Sequence, residues 1–90
     1  MSTPELMPHD HVVFTEFDAG EGILVDLNTK KYFQLNETGT IIWRGLERRK
    51  TLEEIVAEIT AAYDVTPEHA AESVRKLLEN LRAFKLVRPS

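Results

Sequence analysis

The sequence predicts an α+β domain in which a three-stranded antiparallel meander precedes three helices, the arrangement of a winged helix-turn-helix. In the first third of the chain, short segments rich in β-branched and aromatic residues alternate with polar turns. From Asn36 onward, apolar residues recur at helical spacing. The 90 residues suit one domain, which we place at residues 11–88 after a flexible tail at residues 1–10 that Pro4 and Pro8 interrupt.

Three short segments predict the strands of the meander. They are residues 11–17, 23–27 and 32–35. Two glycines mark the first turn, and a short polar connection marks the second. Because connections this short join antiparallel neighbours, the third strand is expected at an edge of the sheet.

Capping residues predict where the three helices begin. Asn36 is a favourable N-cap for the first helix, which two glycines should keep short. Thr51 opens the second helix with a capping-box pattern. Thr66, with Pro67 at the first helical position, opens a third helix that should run to about Phe84.

The composition excludes several classes of protein. The chain has no cysteine, which removes disulfides, cysteine-ligated zinc and thiol catalysis. A formal net charge of −4 argues against non-specific binding of nucleic acid. No apolar run is long enough to span a membrane, and the N-terminus lacks the apolar region of a secretory signal, so we expect a cytoplasmic protein.

Side chains suited to catalysis or metal binding are sparse. The three histidines are His9, His11 and His69, and none is paired in the sequence with a recognisable nucleophile or carboxylate constellation. We therefore predict that the protein is not an enzyme and uses no cofactor. Residues 9–11 combine two imidazoles and a carboxylate, but further ligands are missing nearby, so we expect solvated side chains and no metal.

Two further features have both a structural and a functional interpretation. Trp43 is a possible partner anchor, but its apolar neighbours favour packing in the core. The basic residues 48–50 suit a phosphate or an acidic partner, although a solvated connection between helices explains them more simply.

The third strand is the first of two candidate binding elements. It comprises Lys31, Tyr32, Phe33, Gln34 and Leu35. An edge strand leaves backbone N–H and C=O groups unpaired, and an extended peptide can pair with them as an additional strand. The alternative is a protected edge, with the adjacent lysines preventing unwanted pairing.

The third helix is the second candidate binding element. Its core stripe comprises Ala70, Val74, Leu77, Leu81 and Phe84. Beside it lies a flank that is apolar at its centre and basic toward its ends, formed by Ala71, Arg75, Leu78, Arg82 and Lys85. Such a flank suits a groove that receives an apolar anchor and neighbouring carboxylates, whereas the alternative is a widened core stripe with solvated arginines. The predicted peptide contacts on this helix are Ala71, Val74, Arg75, Leu78 and Arg82.

Several motifs between residues 23 and 65 resemble the PqqD-like family, the recognition elements of ribosomally made, post-translationally modified peptides. The motifs are Val25-Asp-Leu27, Tyr32-Phe33, Leu35-Asn-Glu-Thr-Gly39, Ile42-Trp43 and Thr51-Leu-Glu-Glu-Ile55. The similarity covers about residues 11–87. Lys30 departs from the pattern, because the family often has glycine at this turn, and residues 47–50 are more basic than is usual in the family.

The resemblance implies a non-catalytic adaptor that binds the leader segment of a precursor peptide. In the family, the leader adds antiparallel to the third strand, in the cleft beside the third helix, and the domain delivers the peptide to modifying enzymes. The residues Tyr32-Phe33 and Leu35-Asn-Glu-Thr-Gly39 are more similar to the lasso-peptide type, whose partners are a leader peptidase and a cyclase. The alternative is a pyrroloquinoline quinone-type chaperone for a radical enzyme.

Two alternatives to peptide binding come from other classes of protein. A winged helix can bind DNA, but Glu68 and Glu72 lie at the start of the third helix, where a recognition helix meets its target. A scaffold could use the same open edge to pair two copies of the chain. We expect a monomer that binds neither nucleic acid nor membrane, and we leave the edge-strand dimer open.

Overall fold

The computed structural model describes residues 6–17 and 20–89. Its elements, in chain order, are β1 (Leu6–Pro8), β2 (Val12–Glu16), β3 (Gly22–Asp26), β4 (Tyr32–Leu35), α1 (Glu37–Glu47), α2 (Leu52–Ala62), α3 (Pro67–Ala83) and β5 (Val87–Pro89). The predicted α+β architecture of three antiparallel strands followed by three helices is confirmed. Within the described ranges, none of the helices combines the length and hydropathy needed to span a bilayer.

Strands β2, β3 and β4 form the predicted meander, with β3 in the centre. The antiparallel register pairs Phe14 with Leu24, and Leu24 with Phe33. Gly22, Leu24 and Asp26 are the buried residues of β3, so this side of the sheet faces the helices. A Cβ atom at Gly22 would lie 2.3 Å from the Phe14 ring, which explains the glycine at this position.

The turn between β3 and β4 is held by the side chain of Asp26. Its Oδ1 accepts hydrogen bonds from the backbone N–H groups of Asn28 (2.9 Å) and Thr29 (3.2 Å). Lys30 has φ 64°, the left-handed conformation that glycine adopts most readily. The departure from glycine noted in the sequence therefore falls on a residue with positive φ, and the turn aims β4 back along β3.

All three predicted helix starts are confirmed by capping hydrogen bonds. The Asn36 side chain accepts from the N–H of Gly39 at 2.8 Å, and Thr51 with Glu54 completes a capping box. The Thr66 hydroxyl accepts from the third residue of α3. The last helical residue of α3 is Ala83, so the sequence predicted its end correctly to within one residue.

The core lies between the meander and the helices, and it contains the side chain of Trp43, which is 1% exposed. Its indole N–H donates to Glu47 one turn later, at 3.1 Å. The other buried apolar residues are Leu24, Leu35, Ile42, Leu46, Ile55, Ile59, Ala70, Val74, Leu81, Leu86 and Val87. The packing role expected for Trp43 is confirmed.

The structure departs from the sequence prediction near the N-terminus. Part of the segment expected to be a flexible tail, Leu6–Pro8, pairs antiparallel with Val87–Pro89. The backbone N–H of His9 extends this contact by donating to the carbonyl of Leu86 at 3.1 Å. A strand of three residues is too short to show a period, and its partner lies at the other end of the sequence, so local patterns could not reveal it. Residues 1–5 of the predicted tail lie outside the described residues, and the domain boundary at residue 11 stays a prediction.

Candidate functional site

Strand β4 forms an open edge of the three-stranded sheet, as the sequence predicts. The backbone N–H of Asp26 donates to the carbonyl of Lys31 at 2.8 Å, which sets the hydrogen-bonding phase of the β3–β4 ladder. Along a strand, the backbone N–H and C=O groups of successive residues point to opposite sides. Those of Phe33, two residues after Lys31, therefore also point toward β3. The N–H and C=O groups of Tyr32 and Gln34 therefore point away from the sheet, and no strand in the described part of the chain pairs with them.

The side chains of β4 alternate across the sheet. Phe33 and Leu35 turn toward the helices, and Leu35 is buried beneath α1. The Phe33 ring lies 5.4 Å from the ring of Phe84, the residue that caps the end of α3. Tyr32 and Gln34 are exposed on the opposite side. One side of β4 thus forms a wall of the cleft that separates the strand from α3.

A cavity of about 550 Å³ lies at the end of this cleft where β4 begins. We call it the aromatic pocket, since Phe33 and Phe84 are among its walls. Its lining residues are Asp26, Thr29, Lys31, Tyr32, Phe33, Gln34, Ala83, Phe84, Lys85 and Leu86. The pocket therefore combines aromatic and aliphatic surface with two lysines.

A second cavity, of about 500 Å³, lies at the end of the cleft where β4 meets α1. We call it the polar pocket. It is lined by Glu21, Gln34, Leu35, Asn36, Thr38, Gly39, Ile42, Ser73, Leu77 and Asn80. Gln34 lines both pockets, so the two cavities follow one another along the strand.

The flank of α3 that faces β4 is not the flank that the sequence analysis selected. The predicted contacts Ala71, Val74, Arg75, Leu78 and Arg82 line a different cavity, the rear groove, together with Leu52 and Val56 of α2 and with Leu6, Glu79 and Pro89. With 3.6 residues per turn, Arg75 and Leu77 point in nearly opposite directions from the helix axis.

The ten predicted site residues therefore fall into two groups. Residues 31–35 line the cleft between β4 and α3, whereas the five residues on α3 line the rear groove. The structure does not bring the two groups into one cleft, and binding by the second group stays a prediction.

The residues of α3 that do face β4 are Ser73, Leu77, Asn80 and Ala83, with Phe84 just beyond the helix. The sequence analysis did not assign Ser73 or Asn80 any role. Leu77 and Phe84 belong to the apolar stripe that predicts the core, yet Leu77 is only partly buried and Phe84 is 58% exposed. Two apolar residues seven positions apart indicate that both lie on one face of the helix. An apolar face alone, however, does not tell whether it packs in the core or lines a ligand-binding cleft.

Of the two arginines predicted to contact the peptide, Arg75 is already paired with acidic side chains. The Arg75 guanidinium donates to Glu72 at 2.8 Å and to Glu79 at 3.1 Å. The hydrogen bond and charge of Arg75 lower the pKa of Glu72, and those of Glu72, followed by the charge of Glu79, raise the pKa of Arg75. Arg75 is thus already paired within its own helix.

Asp26 is the buried acid of the aromatic pocket. Burial opposes its ionisation, but hydrogen bonds from the backbone N–H groups of Thr29 and Asn28 hold its pKa below the ordinary value. His11 adds to this effect, with its Nε2 atom 3.6 Å from Oδ2. The carboxylate therefore holds the β3–β4 turn through these hydrogen bonds.

Metal binding finds no support near these groups. The rings of His9 and His11 lie with their centres 4.5 Å apart and their planes tilted by 36°. Over residues 6–17 and 20–89, no group of three or more histidine, cysteine or acidic side chains is arranged to hold a metal ion.

Comparison with protein families matches residues 21–87 to the family described as Coenzyme PQQ synthesis protein D (PqqD). Because the match spans most of the chain, the protein belongs to the PqqD family, and the resemblance seen in the sequence is confirmed. A comparison with curated proteins found no match.

Two solved structures share the fold. The first, TbiB1 in complex with the TbiA(beta) leader peptide, has a TM-score of 0.83 and 35% sequence identity, over 91% of this chain and 94% of that one. The second, a lasso peptide synthetase B1 complexed with the leader peptide, has a TM-score of 0.84 and 22% identity, over 96% of this chain and 100% of that one. At that lower identity, the second match shows the fold alone.

Proposed function

We propose that the protein is a non-catalytic adaptor that binds the leader segment of a ribosomally made precursor peptide and delivers it to modifying enzymes. The open edge of β4 beside the cleft is the observation that carries this proposal. The similar TbiB1 structure, determined with a leader peptide, supports it. Precursor peptides are made by ribosomes, so the adaptor would act in the cytoplasm.

The leader would add to β4 as a fourth strand, antiparallel to it. The outward N–H and C=O groups of Tyr32 and Gln34 would supply the backbone hydrogen bonds. Alternate side chains of the leader would then point toward α3 and enter the aromatic and polar pockets. Main-chain pairing gives affinity in this mode of binding, and the pockets give sequence preference.

Within this function we propose the lasso-peptide type, which the motifs at Tyr32-Phe33 and Leu35-Asn-Glu-Thr-Gly39 favour. The TbiB1 structure, at 35% identity, contains a leader peptide and supports leader binding. The proposed partners are therefore a leader peptidase and a cyclase. A pyrroloquinoline quinone-type chaperone, which would serve a radical enzyme, remains the alternative within the family.

We also propose to describe the architecture as a winged helix-turn-helix, with the meander as the wing and the link between α2 and α3 as the turn. DNA binding is not favoured by the charges on α3. Glu68 lies in its first turn, and Arg75 is paired with two acids of the same helix.

A fluorescence-anisotropy titration tests the adaptor function directly. The probe is the labelled leader half of a small precursor encoded beside the gene, with a scrambled leader as control and the TbiA(beta) leader peptide as a second probe. We expect saturable binding of a true leader and none of the scrambled sequence. Failure of all these leaders to bind the folded protein would contradict the proposal.

The rear groove has a separate test, because it is lined by a different flank of α3 from the one that faces β4. Arg82 has no ion pair among the described residues, so it is the rear-groove cation most available to a ligand. If the leader contacts this groove as well, Arg82→Glu should weaken leader binding; unchanged affinity would confine the leader to the cleft.

A further inference from the structure

Charge is unevenly distributed along the cleft between β4 and α3. Lys31 and Lys85 are exposed at the aromatic pocket, and neither has an ion pair within the part of the chain that the structure describes. The residues lining the polar pocket include no lysine or arginine, and Glu21 is the charged residue among them. One end of the cleft is cationic, whereas the other carries a carboxylate.

The backbone at Lys85 favours a different residue. The N–H of Lys85 donates to the carbonyl of Arg82 at 3.0 Å, and the N–H of Leu86 donates to that of Leu81 at 2.9 Å. These two bonds form a Schellman motif at the end of α3, in which Lys85 has φ 59°. Glycine usually fills this left-handed position because it has no Cβ, so lysine carries a conformational cost here.

The acid of the aromatic pocket does not neutralise the two lysines. Asp26 is 5% exposed, its Oδ1 atom accepts two backbone hydrogen bonds within the turn, and its Oδ2 atom faces His11. No ion pair joins Asp26 to Lys31 or Lys85 in the described structure. Both ammonium groups are therefore available to a ligand.

We infer that the aromatic pocket selects a peptide segment in which an apolar or aromatic side chain is followed by one or two carboxylates. The apolar side chain would pack against Phe33 and Phe84, and the carboxylates would pair with Lys31 and Lys85. This inference rests on the proposed strand addition. A strand antiparallel to β4 passes Leu35 first and Tyr32 last, so the acids lie C-terminal to the part of the peptide at the polar pocket.

Charge then gives the cleft a preference for the end of the bound peptide at which the carboxylates lie. A peptide with its carboxylates at the other end would bring them to the polar pocket, next to Glu21, and would leave the lysines unpaired. Backbone pairing alone cannot supply this preference, because N–H and C=O groups repeat along the whole strand.

A phage-displayed library of random 16-residue peptides tests the inference even where the leader sequence is unknown. Selections are run on the wild-type protein, on Lys31→Gln/Lys85→Gly, and on Lys76→Gln, which removes an exposed lysine on α3 outside the three cavities. Lys85→Gly removes the charge while relieving the positive φ, so the double variant is expected to fold, and thermal melting checks this. Lys31→Arg/Lys85→Arg keeps both charges.

On the wild-type protein, acids should be enriched about fivefold on the C-terminal side of an aromatic residue relative to its N-terminal side, a ratio expected for partly exposed ion pairs. The Lys76→Gln and double-arginine variants should keep this ratio, and Lys31→Gln/Lys85→Gly should bring it close to one. The inference is overturned if the ratio is near one on the wild-type protein, or if it is unchanged in Lys31→Gln/Lys85→Gly.

A selection on Gln34→Pro separates this inference from the proposed function. That variant removes an N–H needed for strand addition but leaves the lysines in place. If the wild-type protein enriches no peptides over Gln34→Pro, strand addition itself is contradicted, and the charge inference fails with it. If peptides are enriched without a charge preference, strand addition stands and only the charge inference fails.

Discussion

Lys30 shows how a single backbone angle can weaken an otherwise regular hairpin. Its φ of 64° places it in the left-handed region, and its N–H donates to the carbonyl of Asp26 at 2.8 Å. A side chain in that region is disfavoured by contact between Cβ and the backbone, whereas glycine has no Cβ. The turn therefore keeps its hydrogen bonds at a cost in stability.

We expect Lys30→Gly to raise the free energy of unfolding by about 1 kcal/mol. The comparison variant is Lys31→Gly, which has no positive φ to relieve and should instead lower stability through the added freedom of the unfolded chain. Urea denaturation of the two variants measures both effects. Equal destabilisation by the two substitutions would show that the turn does not strain Lys30.

Asp26 links the stability of the same turn to pH. Burial acts to raise its pKa in the folded protein, but the backbone hydrogen bonds from Thr29 and Asn28, with the charge of His11, outweigh burial and leave the pKa below its ordinary value. A folded-state pKa below the unfolded one stabilises the protein above the unfolded pKa, and this stabilisation is lost as the pH falls through the folded pKa. The Asp26 contribution should therefore be complete at neutral pH.

The variant Asp26→Asn keeps an oxygen acceptor for the turn but has no charge to titrate. We expect the wild-type protein to be more stable than Asp26→Asn at neutral pH, with the difference shrinking as the pH falls below about 4. Denaturation of both proteins across this range measures the difference. A gap that does not change with pH would show that the ionised form of Asp26 has no special role in the folded state.

At the scale of elements, the phase of the β3–β4 ladder determines which backbone groups a ligand can use. Phe33 and Gln34 are adjacent, yet the backbone of Phe33 pairs with β3 and that of Gln34 points away from the sheet. The sequence analysis located the edge strand but could not assign this phase, because phase depends on the register with β3.

Proline substitutions distinguish the backbone of Phe33, which pairs with β3, from that of Gln34, which points away from the sheet. Gln34→Pro should leave the fold largely intact, since proline is tolerated on an open edge, and it should weaken leader binding at least about tenfold through the lost hydrogen bond and local distortion. Phe33→Pro should instead lower the melting temperature, because it removes a ladder hydrogen bond. Anisotropy and thermal melting distinguish them, with Gln34→Ala as the control that retains the N–H. Full leader affinity in Gln34→Pro would contradict strand addition.

At the scale of the whole molecule, the pairing of β1 with β5 joins the two ends of the described chain. This small sheet lies beside the rear groove, to which Leu6 and Pro89 both contribute. The residues that form the cleft for the leader belong to other elements, β4 and the opposite flank of α3. Removal of β1 should therefore lower stability without changing leader binding.

Deletion of residues 1–8 removes β1 and should lower the melting temperature by several degrees, about the effect of losing 1 kcal/mol in a domain of this size. Deletion of residues 1–5 is the matched control, because it leaves all of Leu6–Pro8 in place. Leader affinity, measured below the melting temperature of both proteins, should be unchanged. A large loss of affinity after the longer deletion would show that the two ends of the molecule are coupled.

Local signals in the sequence were enough to establish the order of the main elements and the positions of the helix starts. Asn36, Thr51 and Thr66 cap their helices through hydrogen bonds to residues three positions away, so each signal is visible over a few residues. The edge position of β4 also followed from short connections. Trp43 was assigned to the core because its apolar neighbours recur at helical spacing.

The flank of α3 that faces β4, in contrast, became clear only from the packing of the whole fold. Leu77 and Leu78 are adjacent in the sequence and equally apolar, yet one lies in the cleft and the other in the rear groove. Helix periodicity defines the faces of α3 but not its rotation against the sheet, which depends on how all the core side chains pack together. The pairing of β1 with β5 was hidden for a related reason, since contacts between distant segments leave no local pattern in the sequence.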